Sequence, residues 1–196
     1  MTPVDWTKAR QPIDWANLVA PTPPWAHLVV CAEHDIDNAV SLYEWNGAKQ
    51  HKTLIRFIRA QYCRNWENNF IYWSAALQFP GWAKPYYLAF RDCIKDLPRL
   101  RASVYIFVVT NADLLLIEEG EDALAEFLEL LNNAASYWSQ PLKMPNASSV
   151  ARQMYERDET PFHVLFQCNS GLQDQVQDRY ARAKVQLPRV PFESRV

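Results

Sequence analysis

Val104-Tyr-Ile-Phe-Val-Val-Thr110 is a nearly continuous apolar run of strand length. A strand apolar at successive positions buries both of its faces, the pattern of an interior strand in a parallel sheet. The run therefore belongs at the centre of a sheet. Downstream, Leu124, Phe127, Leu128, Leu131 and Ala135 recur at helical spacing from Asp122. Glu118, Glu119, Glu121 and Asp122 suit the positive end of that helix's dipole. Residues 139 to 150, with Pro141 and Pro145, read as a loop. A short helix follows over 150 to 155, then a last strand, Phe162-His-Val-Leu-Phe-Gln167. The polar stretch 169 to 196 admits a helix over 172 to 184, before Pro188 and Pro191. Upstream, Pro85 can occupy a first helical turn, and Tyr86, Ala89, Phe90, Cys93 and Ile94 form the apolar stripe of a helix over 86 to 96. Phe70, Trp73, Ala76 and Leu77 form another over 65 to 77, stopped by Phe79-Pro80-Gly81. Thr53 to Arg59 alternates like a strand. His27 to Cys31 is short and β-branched, and Asp35 to Asn38 offer caps for a helix that Gly47 closes. Residues 27 to 59 thus read as a β-α-β unit. Before them, Pro3, Pro12, Pro21, Pro23 and Pro24 make an irregular arm, and Trp6, Trp15 and Trp25 imply that it lies against the body. The order β-α-β-α-α-β-α-β gives an α/β domain with a small, mainly parallel sheet.

The 196 residues suit one domain with additions, and 49% hydrophobic residues supply a core without disulfides or metal. A formal charge of −2 offers no global basic field for phosphates and no strong acidic field that imitates nucleic acid. No apolar run approaches the roughly 20 residues of a membrane helix. Charges near the first residues replace the apolar stretch of a secretory signal, so the expectation is a cytoplasmic protein with reduced thiols and no membrane partner.

Gly47, Gly81, Gly120 and Gly171 are isolated, which excludes a phosphate-cradling loop or dinucleotide fingerprint. Cys31-x-x-His34 has ligand-like spacing but no second pair at zinc-finger distance. Cys93 lies on an apolar stripe, Cys168 ends a strand, and His163 stands between Phe162 and Val164, so none has an evident catalytic partner. The expectation is no cofactor, no metal and no enzyme. Arg56-Phe57-Ile58-Arg59 with Tyr62 and Arg64 is a weak aromatic-basic strip, and direct nucleic-acid binding ranks below a strand with a wet polar face.

The stretch Ala76-Leu-Gln-Phe-Pro-Gly-Trp-Ala-Lys-Pro-Tyr-Tyr-Leu-Ala-Phe-Arg-Asp-Cys-Ile-Lys-Asp-Leu97 resembles the barstar family of small intracellular ribonuclease inhibitors. Strand 104 to 110 with Asn111-Ala-Asp113, helix 122 to 138 ending in Ala134-Ala-Ser-Tyr-Trp138, and Pro161-Phe-His-Val-Leu-Phe166 resemble the family's later elements in order. The resemblance covers 52 to 168. It leaves 1 to 51 as an N-terminal arm and β-α extension, and 169 to 196 as a tail. It implies a barstar-like fold and a protein that lays a helix and its preceding loop over a ribonuclease active site. Carboxylates there replace RNA phosphate and form charge-assisted hydrogen bonds. By position, the resemblance assigns Asp92 as the central acid and Trp82 as an aromatic contact, with Asp96 one turn on. Departures fall at Ala83, Lys84, Tyr86 and Leu88, which retune the surface toward aromatic contacts. The family's acid on the later helix aligns with Asn133, and Glu129 lies one turn earlier as its substitute. Residues 79 to 138 hold five basic and nine acidic side chains. The expected partner is a cognate protein toxin, foremost a ribonuclease. A non-nuclease partner on the same scaffold stays open, as does single-stranded nucleic acid on the Arg56 to Arg64 strip.

Overall fold

The computed structural model describes residues 13–46, 52–97 and 100–192. Four strands, β1 (Ala26–Val30), β2 (Thr53–Arg59), β3 (Val104–Thr110) and β4 (Phe162–Cys168), form one sheet in the order β1-β4-β3-β2, with every pairing parallel. The apolar run 104–110 is thus interior, as its composition requires. The helices are α1 (Glu33–Asn46), α2 (Trp66–Leu77), α3 (Tyr87–Lys95), α4 (Glu121–Trp138), α5 (Ser149–Tyr155) and α6 (Gln173–Arg182).

Strand alternation divides the core in two. Tyr105, Phe107 and Val109 of β3 and Phe162, Val164 and Phe166 of β4 face α2, α3, α4 and α6. On that side Trp73 meets Phe107, Phe90 and Phe127 with ring centroids 5.2, 5.7 and 5.8 Å apart. Val104, Ile106, Val108 and Leu165 face the other way, against Ile36, Ala39, Val40 and Tyr43 of α1 and against Ile13, Trp15 and Leu18 of the arm. The wide aromatic layer takes four helices and the slimmer aliphatic layer takes one helix and the arm. Trp15 is buried, stacked 4.5 Å from Tyr43, and Trp25 is half-buried against the core, so both pack on the body. Trp6 and Gly47 lie outside the described residues.

One expectation here needs correction. The helix after β1 begins at Glu33, so Asp35 to Asn38 lie within it rather than capping it. Glu33 is held from outside, by Thr110 Oγ1 at 3.1 Å and Asn111 Nδ2 at 3.0 Å, at the carboxyl end of β3. In addition, β1 and β2 stand at opposite edges of the sheet with β4 and β3 between them. Local periodicity carries no information about lateral order, and the long crossover through α1 leaves room for two later strands.

The β1 edge is covered by the tail. Leu28 N–H donates to Pro188 O and accepts Val190 N–H at its own carbonyl, each at 2.9 Å, so the tail lines β1. On β2, Arg56 donates to Ala76 O at 3.2 Å and Ile55 O at 2.8 Å. The tail segment contains a functional piece of the fold: buried Arg179 of α6 donates to Asp113 O and Leu115 O, and Tyr180 donates to Ala112 O. These bonds clamp the turn after β3, where Asn111 and Leu116 both adopt positive φ.

Candidate functional site

Helix α2 ends on Gln78 in the left-handed conformation, with Phe79 N–H returning to Ser74 O at 3.0 Å. The chain then turns through 80–86 by two local bonds, Ala83 N–H to Pro80 O and Tyr86 N–H to Lys84 O. Pro85 precedes the helix start, and Tyr86 is its extended N-cap. Helix α3 buries Ala89, Phe90, Cys93 and Ile94 and turns its other side to solvent. Two indole N–H groups from other helices fix its ends. Trp66 Nε1 donates to Pro85 O at 2.9 Å, and Trp138 Nε1 donates to Ile94 O at 3.0 Å.

On the solvent side lie Trp82 at 64% exposure, Leu88 at 53%, and the exposed Lys84, Tyr86 and Asp92. Leu88 and Asp92 are one helical turn apart and share a face. Large apolar side chains in water gain nothing from the fold itself. Asp92 accepts from the neighbouring Arg91 guanidinium at 2.8 Å, an exposed pair that a stronger cationic partner can displace. Beside it on α4 stand Glu126, Glu129 and Asn133, all exposed. Burial, then the charges of Glu129 and Glu126, push the Tyr87 phenol upward, which places both carboxylates close to the start of α3.

Asp96 departs from the expected one-turn geometry. The helix ends at Lys95, and Asp96 is its extended C-cap, because Cys93 O is satisfied by Asp96 N–H and the chain leaves the helix there. Asp96 lines a cavity of about 330 Å³ together with Lys95, Arg101, Tyr105, Tyr137 and Arg157. Arg157 lies 4.6 Å from the Tyr137 ring centroid and 4.5 Å from that of Trp138, and donates to the carbonyls of Tyr137, Trp138 and Gln140. It thereby caps α4. Trp82, Lys84, Tyr86 and Asp92 are thus exposed on the loop and helix α3, Glu129 and Asn133 are exposed on α4, and Asp96 lines the cavity after α3. The supports Trp66, Trp138 and Arg157 had no local sequence signal, since each acts on a residue 19 to 44 positions away.

The other chemical candidates are occupied or inert. All four cysteines are free and buried, and burial pushes the thiols of Cys31 and Cys63 up to about 12 and those of Cys93 and Cys168 to about 11. Cys31 is buried while His34 is exposed beside Asp35, so this pair does not converge. Among the described residues no three potential metal ligands cluster, and no helix is long and apolar enough to cross a membrane. In the aromatic-basic strip, Arg56 is committed to carbonyls, Arg64 pairs with Glu118 at 2.7 Å, and Tyr62 stacks on Tyr72.

A family model described as Barstar (barnase inhibitor) matches residues 53–167. No curated protein matches the chain. The matched span runs from the first residue of β2 to the penultimate residue of β4 and contains the loop 78–86 and α3 with their supports. It covers more than half of the sequence, and the chain belongs to the barstar family.

Proposed function

We propose that this chain is a non-catalytic inhibitor of the immunity type, which neutralises a cognate toxin, foremost a ribonuclease, by filling its active site with the loop 78–86 and α3. The observation that carries this reading is the exposure of Trp82, Tyr86, Leu88 and Asp92 on this loop and on a helix whose ends are fixed by two indole hydrogen bonds. A site that holds RNA phosphate is lined by cations, and a preorganised carboxylate can enter it with charge-assisted hydrogen bonds. Trp82 and Tyr86 supply the aromatic anchors in which such interfaces concentrate their energy. Four reduced, buried thiols suit a cytoplasmic setting. The arm and β1-α1 (residues 1–51) and the tail (169–196) are additions to the inhibitory domain of 52–168.

The test expresses the reading frames adjacent to this one and, for any that cleaves RNA, titrates its activity with the wild-type chain and with Asp92→Ala. The variant is expected to keep its fold and lose about 2 to 5 kcal/mol of binding, the range for truncating one side of a buried charge pair. Unchanged affinity removes Asp92 from the mechanism. A second reading, a non-nuclease protein partner on the same surface, is favoured by one observation: apolar Leu88 is exposed one turn before Asp92, where a purely phosphate-mimicking surface would be polar. In that case the chain binds a protein that cleaves no RNA.

A further inference from the structure

His27 of β1 and His163 of β4 are both buried, 136 positions apart in sequence, with His27 Nε2 and His163 Nδ1 separated by 3.1 Å. His163 Nε2 lies 2.9 Å from Ala20 O in the arm. These contacts fix both tautomers. A carbonyl oxygen only accepts, so His163 Nε2 carries a hydrogen; the neutral ring then has an acceptor at Nδ1, and His27 Nε2 must donate to it. The result is a directed chain from β1 through β4 to the arm. Next to it Val164 N–H donates to Trp25 O at 2.8 Å. Pro21–Trp25 roof a cavity of about 310 Å³ over Asn132 and Ser136 of α4, with His163 in its wall.

We propose that this pair is a proton-operated latch: neutral, it holds residues 20–25 against β4 and α4; protonated, it releases them and opens the cavity beneath, while β2, β3 and β4 stay paired. With one proton added to each ring, two N–H donors face each other across 3.1 Å, and the bond becomes a repulsion. Among the described residues, the only charged group acting on His27 is the His163 ring, and no carboxylate, lysine or arginine acts on either ring to offset a buried charge. The carbonyls of Ala20 and Pro24 favour the protonated rings, but burial outweighs them in both. It holds His27 down to about 4, against 6.5 for a free imidazole, and lowers His163 as well. With the segment released, the two rings therefore bind protons at a pH where they do not when it is latched. Latching is complete above about pH 6.5 and is lost as pH falls toward 4, by up to about tenfold per pH unit for each linked proton.

The test uses the full chain. Imidazole ¹⁵N spectra at pH 7.5 should show hydrogen on Nε2 of both rings; a hydrogen on His163 Nδ1 overturns the chain. Amide exchange, expressed as protection factors, should show Val164 losing at least about tenfold of its protection between pH 7 and 4.5, while the amide of Val108 keeps its own. His163→Gln retains a donor for Ala20 O and an acceptor for His27, and should flatten the Val164 profile. Should that variant fail to fold, His27→Gln serves the same purpose. Constant Val164 protection in the wild type, or the same loss in the folded variant, refutes the latch.

Discussion

Asn69 is a fully buried side chain of α2 whose amide nitrogen and oxygen both lack a hydrogen-bond partner among the described residues. A buried amide without partners costs about 1 to 3 kcal/mol, and leucine has a similar shape. Asn69→Leu is therefore expected to stabilise the fold by about 1 to 2 kcal/mol, read as a higher urea midpoint at unchanged slope; a lower midpoint would show that the amide has a structural role. Two glycines make a second residue-level contrast. Gly120 precedes α4 at φ +88, a conformation that strains any side chain, whereas Gly81 has ordinary φ and open space where a Cβ would stand. Gly120→Ala should cost about 1 kcal/mol and Gly81→Ala should stay within about 0.5 kcal/mol, compared in the same unfolding assay.

Helix α3 has nine residues, too short to hold its shape alone, so its geometry is imposed by its neighbours. The indole of Trp138 is the clearest case, because its Nε1 hydrogen serves Ile94 O in the last turn of α3. Trp138→Phe keeps a ring in the core but leaves that carbonyl without its donor. The expected cost is about 1 to 3 kcal/mol, with faster amide exchange in residues 91–95 and little change in β3. Equal exchange in both elements would mean that α3 is held by packing alone. At the same scale, α6 clamps the positive-φ turn after β3 through Arg179 and Tyr180, so a polar tail proves to be a supporting helix of the sheet.

The whole molecule is a parallel sheet clothed on both faces, and it leaves no thiol at the surface. At pH 8 an aromatic disulfide reagent should label none of the four cysteines in the folded protein and all four in denaturant; labelling of Cys31, Cys63, Cys93 or Cys168 at the rate of a free thiol would contradict this packing. The His27–His163 pair joins the edge strand β1 to β4.

The elements themselves were legible in the chain, because periods of two and 3.6 residues, with Pro80, Pro85 and Asn65 as punctuation, are local quantities. So was the family, through the order of residues from Ala76 to Leu97. Lateral strand order was not: β1 lies beside β4, far from the β2 that follows it, since nothing in either strand's alternation names a neighbour. Nor could the sequence show that Asp96 leaves the helix, that Trp66 and Trp138 hold α3, or that two histidines 136 positions apart share a hydrogen bond. Local composition determines which segments become strands and helices; only the packed sheet decides which distant groups come within bonding distance.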